Sequence, residues 1–148
     1  MPDSQSGRGL PCAPFHLAIP VSSLEVAERF YGTQLGCPVG RRSESWIDFD
    51  FGGHQITTHL VESGEPGPAT NGVDGDQVPT RHFGLVLPME HWRSLAAELQ
   101  AADVTFRLEP RIRFEGQPGE QATMFVEDGC GNALEFKAFA DPARLFAR

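Results

Sequence analysis

Apolar and polar positions along the 148-residue chain run through one plan twice. In PFHLAIPVSSLEVAERFYGTQLG, residues 14–36, Leu17, Ile19 and Val21 alternate with their neighbours, after which Leu24, Ala27, Tyr31 and Leu35 recur at helical spacing toward Gly36. In RHFGLVLPMEHWRSLAAELQAADV, residues 81–104, Phe83, Leu85 and Leu87 alternate, and Trp92, Leu95, Ala96, Leu99 and Ala102 then form a helical stripe. A period of two followed by a period near 3.6 predicts a strand and then an amphipathic helix with one buried face. Ser22-Ser-Leu-Glu25 fits a capping box for the first helix, and Pro88 marks the start of the second.

Three strand-like segments rich in Phe, Val, Ile and Thr follow each helix, at 38–43, 45–51 and 54–61 and again at 105–112, 121–127 and 133–139. Each half therefore reads βαβββ. Phe51-Gly-Gly-His54 and Gly129-Cys-Gly-Asn132 are matching turn signals for the closing hairpin of each half. The expected fold is α+β, with eight strands from two βαβββ modules (14–61 and 81–139) in one domain over 14–139. Residues 62–80, crowded with Gly, Pro, Asn and Asp, read as a linker loop, 1–13 as a flexible N-terminus, and 140–148 as a C-terminal turn begun by Asp141-Pro142.

Parity along the strands sorts the polar residues. His16 lies with Ala18 and Pro20 on the face away from the first helix, and His82 lies with Gly84 and Val86 on the equivalent face of the second module. In the last strand Leu134, Phe136 and Ala138 form the packing face, which leaves Glu135, Lys137 and Phe139 opposite. Two such sheets about a pseudo-twofold axis bring these faces together around a cavity, so His16, His82 and Glu135 are predicted to bind one divalent metal. Two imidazoles and a carboxylate leave coordination positions open and suit Fe(II), Mn(II), Zn(II), Co(II) or Ni(II). His59 shares the inward parity with Thr57 and Gln55, which makes it the candidate for moving a proton. Lys137 and Arg113 are candidates for holding an anionic substrate group, with Thr57 as a further substrate contact. His54 and His91 read as structural or exposed.

A net charge of −8 with no basic cluster excludes nucleic acid and anionic membrane surfaces as expected partners, and a small molecule takes their place. Cys12, Cys37 and Cys130 form no C-x-x-C pair and read as ordinary reduced cysteines. No apolar run approaches the ~18 residues of a membrane span and no secretory leader pattern is visible, so the expected location is the cytoplasm.

Glu127-Asp-Gly-Cys-Gly-Asn-Ala-Leu-Glu-Phe136 resembles the D-x-x-G-N-x-x-E-[LF] closing hairpin of the glyoxalase/bleomycin-resistance/extradiol-dioxygenase superfamily, the vicinal oxygen chelate proteins. The strand openings at His16 and His82 resemble that family's other ligand strands, and the likeness covers nearly all of 14–139. It implies paired βαβββ modules, a metal that grips adjacent substrate oxygens, and a homodimer, with the site in some members spanning two chains. It also implies a metal-dependent enzyme, with a dioxygenase-like oxidoreductase on Fe(II) as the first expectation. The alternatives are a drug- or metabolite-binding protein without turnover and an isomerase or lyase. Thr57 stands opposite Glu135 in the paired hairpins, where a lactoylglutathione lyase carries a fourth ligand. Phe125 stands where a ring-cleaving enzyme carries a tyrosine, and the chain's single tyrosine, Tyr31, falls in a helix.

Overall fold

A computed structural model of the chain describes residues 9–62, 70–73 and 75–148. β1 (His16–Val21), β2 (Val39–Arg42), β3 (Trp46–Phe51) and β4 (His54–Leu60) form a sheet in the order β1-β4-β3-β2. β5 (Thr70–Val73) and β6 (Asp76–Pro79) make a separate two-stranded ribbon. β7 (Phe83–Val86), β8 (Thr105–Arg113), β9 (Gln121–Glu127) and β10 (Ala133–Phe139) repeat the first arrangement in the order β7-β10-β9-β8. In each sheet the first strand runs parallel to the last, and the remaining pairs are antiparallel. These are the two βαβββ modules of the α+β fold that the repeated pattern predicts.

The ribbon corrects the loop expected over 62–80. Its strands pair through their backbones around Gly75 at φ +85°, a conformation that favours glycine, and such a ribbon does not require an apolar period. Residues 63–69 and 74 of that segment, and 1–8 of the expected flexible N-terminus, lie outside the described residues. A 3₁₀ turn over Pro142–Phe146 follows β10, with the Asp141 carboxylate accepting from the Ala143 amide at 3.1 Å.

The first helix begins one residue later than the capping box suggests. Ser23, not Ser22, is its cap, with Oγ accepting from the Val26 amide at 3.2 Å. After one α-helical turn, α1 (Leu24–Ala27), the chain widens into a π-helical stretch over Glu28–Gln34, which buries the consecutive Phe30 and Tyr31. α2 (Met89–Ala101) is regular, starts after Pro88, and buries Trp92, Ala96 and Leu99.

One core joins the modules. Ile19, Val21, Phe49 and Ile56 of the first sheet share a buried cluster with Met124, Val126, Leu134 and Phe136 of the second, together with the helical Tyr31, Trp92 and Leu99. Each fully buried side chain of this size contributes roughly 1.5–3 kcal/mol. Phe51 at the first Gly turn meets Phe83 and Phe136 at ring distances of 5.9 and 6.0 Å. Tyr31 donates to the buried Asp128 at 2.8 Å, and Gln34 donates to the Ala102 carbonyl at 2.9 Å. Burial first, and the Asp128 carboxylate second, push the Tyr31 phenol well above its ordinary range. The helix-bearing faces close on this common core, while His16 and His59 stand exposed on the opposite face of the first sheet.

Candidate metal centre

His82 immediately precedes β7, and its Nδ1 lies 2.7 Å from the Pro79 carbonyl oxygen at the end of the ribbon. A carbonyl only accepts, so Nδ1 carries the hydrogen and Nε2 is left to face Glu135 Oε2 at 3.0 Å. Thr123 Oγ1 donates to the other oxygen, Glu135 Oε1, at 2.9 Å. The Phe125 ring packs edge-on to His82 at 5.0 Å. Beneath Glu135, Gly84 is the only residue type that fits, because a Cβ there would collide with the Glu135 carbonyl oxygen.

This arrangement sets the chemistry of the pair. With hydrogen on both ring nitrogens His82 donates to the Pro79 carbonyl and to Glu135, and with hydrogen on Nδ1 alone the Nε2 lone pair and the carboxylate could share a cation. The Pro79 carbonyl orients the His82 ring and the Thr123 hydroxyl the Glu135 carboxylate, the kind of outer support that metal-ligating His and Glu have. The donor set therefore fits a divalent ion. Beside His82 a cavity of about 360 Å³ opens between β1 and β7, lined in part by Ala18, Pro20, Phe83 and Asn132.

His16 does not join this pair. It is exposed on the open face of the first sheet, next to Gln55 of β4, and no group of three His, Cys, Asp or Glu is placed to hold a metal among the described residues. Ala18 and Pro20, which share the parity of His16, do line the cavity beside His82, so His16 shares a face with that cavity's lining without reaching the His82–Glu135 pair. His59 is exposed on the same face, in register with Pro20 and Trp46.

Thr57, expected as a substrate contact, lies at a buried position of β4. It is 6% exposed, and its hydroxyl donates to Asp48 Oδ1 at 2.6 Å. Asp48, itself 6% exposed, is also reached by Gln55 at 3.3 Å and Arg41 at 3.4 Å. Lys137 stays on the Glu135 face, in register with Thr123 and Val86, with its ammonium 6.0 Å from the Phe139 ring. Arg113, in register with Gln121 near the end of β8, lies over Phe114 at 5.3 Å.

The sequence reading missed Thr123, the Pro79 carbonyl and Arg111. Thr123 and Arg111 were open to the same parity argument, since they share a face with Phe125 and Arg113. The Pro79 carbonyl left no side-chain signal.

The family model of the Glyoxalase/Bleomycin resistance protein/Dioxygenase superfamily matches residues 14–136. A glyoxalase/bleomycin resistance protein/dioxygenase from Alicyclobacillus acidocaldarius is similar in structure at TM-score 0.76 and 33% identity, over 93% of this chain and 98% of that one. A lactoylglutathione lyase from Agrobacterium tumefaciens aligns at TM-score 0.63 over 87% of this chain and 95% of that one. A glyoxalase family protein from Bacillus anthracis aligns at 0.62 over 90% and 99%. These last two, at 15% and 17% identity, share the fold alone. Among curated proteins no sequence matches the chain.

Proposed function

The chain belongs to the glyoxalase/bleomycin resistance protein/dioxygenase superfamily, and from that premise we propose that it is a divalent-metal-dependent enzyme with dioxygenase-like chemistry, acting on a small molecule held through adjacent oxygen atoms. The observation that carries the proposal is the His82–Glu135 pair, 3.0 Å apart and braced by Pro79 and Thr123.

The exposure of His16 supports a third ligand supplied from a second copy of the chain. In a homodimer the open face of the first sheet of one copy covers the open face of the second sheet of the other, and His16 arrives beside His82 and Glu135 from the second copy. Such an isologous contact builds two equivalent sites and covers the β1 and β7 edges. A bound metal, Fe(II) first with Mn(II), Zn(II), Ni(II) or Co(II) as alternatives, supplies electrophilic stabilisation of a substrate oxygen as charge develops. His59 rides on the same face as His16 and takes or returns the substrate proton. Lys137 and Arg113 receive an anionic group of the substrate. The setting is cytoplasmic, and nucleic acid is not a partner.

Phe125 against His82 favours a second reading, a binding protein that holds a metabolite or drug without turnover, because no tyrosine hydroxyl stands there to assist ring cleavage. Anaerobic loading with Fe(II), Mn(II) or Zn(II), followed by catechols, 2-oxo acids and thiol adducts, separates the readings. Metal-dependent oxygen uptake with a catechol, lost in His82→Ala and slowed in His59→Ala, is the expected result. Tight binding without product under every metal contradicts the enzyme and supports sequestration. Turnover without oxygen points to an isomerase or lyase.

A further inference from the structure

We infer that the open face of the second sheet carries a carboxylate site built on Arg111, in the same cross-strand row as Lys137, and that it selects substrates that carry a carboxylate in addition to the oxygens held at the metal centre. The inference rests on the metal-centre reading above and adds the substrate class.

The register of β8, β9 and β10 sets out the face in rows. Phe125 and Glu135 pair in the row nearest His82. The next row is Arg111, Thr123, Lys137 and Val86, in register across all four strands. A guanidinium and an ammonium thus stand one row beyond the metal-facing carboxylate, while Phe125 and Val86 offer apolar surface between and beside them. A flat organic body carrying paired oxygens at one end and an anion at the other matches this order of groups.

Two observations identify Arg111 as the carboxylate receptor. Asp76 of the ribbon already places its carboxylate on the Arg111 guanidinium, so the chain's own side chain stands in for the ligand group. The Arg111 Nε is buried and has no hydrogen-bond partner, so the planar donor fork has capacity left over after Asp76 is bound. Asp76 lies three residues before Pro79, whose carbonyl orients His82. A ligand carboxylate that takes the place of Asp76 therefore acts on the strand that holds a metal ligand, which couples anion recognition to the metal centre.

The test uses the redox-inert Zn(II) form of the full chain, with zinc uptake measured first by competition against a chelator. Catechol and 3,4-dihydroxybenzoate, which differ by one carboxylate, are then titrated calorimetrically. The expected result is at least ~10-fold tighter binding of 3,4-dihydroxybenzoate, in the range of a charge-assisted contact. Arg111→Gln should erase that preference while leaving catechol and zinc affinity in place, and Asp76→Asn, which removes the competing carboxylate, should enlarge it. Equal affinity of the two probes for a zinc-loaded wild type overturns the carboxylate site and leaves the metal reading standing. Failure to take up zinc sinks both. If Arg111→Gln does not fold by circular dichroism, an unchanged preference in Asp76→Asn overturns the inference.

Discussion

The two modules use the same pairing of a threonine with an acid, but with the acid on different strands. In the first module the acid is Asp48 on β3, in register with Thr57 on β4, and its oxygens are taken up by Thr57, Gln55 and Arg41. At the corresponding register of the second module, Phe125 stands in place of Asp48 and Glu135 in place of Thr57. There Thr123 holds one carboxylate oxygen and the other is left facing His82. An acid one strand further from the first strand is closed off by its neighbours, whereas an acid on the strand beside the histidine keeps one oxygen turned to the imidazole. Equivalent positions of the two modules thus hold a buried threonine in one and, in the other, a carboxylate beside a histidine.

The sharpest way to break that comparison is to neutralise each acid separately. Glu135→Gln should weaken metal binding by at least ~100-fold, about 3 kcal/mol, with unfolding in urea almost unchanged. Asp48→Asn should show the reverse, a loss of about 1–2 kcal/mol of stability because buried partners are left unsatisfied, with metal affinity intact. Equal effects of the two variants on metal binding would remove the distinction.

A second experiment tests the joint that holds the modules in one core. Burial and Asp128 raise the folded-state Tyr31 pKa, so above the ordinary tyrosine range the unfolded phenol loses its proton while the folded one keeps it. The unfolded state then binds fewer protons, and stability must fall as pH rises. Cys37, pushed up from 9.0 to about 11 chiefly by burial, adds to the fall in the same direction from a lower pH. Tyr31→Phe should cost about 1–2 kcal/mol near neutral pH by leaving Asp128 one donor short, and should make the alkaline decline shallower. An identical alkaline slope in the variant would contradict this assignment.

The smallest effects sharpen the comparison between the threonines. Thr123→Val should lower metal affinity by roughly 10-fold, as loss of an outer support does, and Thr57→Val should cost about 1 kcal/mol of stability without touching the metal.

Much of this was legible in the sequence because it follows from periodicity. The strands over Gln121–Glu127 and Ala133–Phe139, the α2 stripe and the paired Gly turns are local signals that the tertiary fold does not override. Parity likewise put His82 and Glu135 on one face, where they stand 3.0 Å apart. The ribbon within 62–80 escaped because backbone pairing around Gly75 leaves no apolar pattern. The distance of His16 from the His82–Glu135 pair was not legible, because parity gives the face of a sheet and says nothing of which sheet that face opposes. The hydrogen bond from Thr57 to Asp48, nine residues earlier, was not legible either, because it depends on the register of β3 with β4.

The central claim, that one site draws on two copies of the chain, is tested most directly by mixing His16→Ala and Glu135→Ala proteins. Neither alone should hold stoichiometric metal. Unfolding them together and refolding at equal concentration should produce mixed dimers in which one site regains His16, His82 and Glu135, restoring about a quarter of the wild-type metal sites for random pairing of a twofold dimer. No recovery of metal in a mixture shown by light scattering to be dimeric would contradict the shared site.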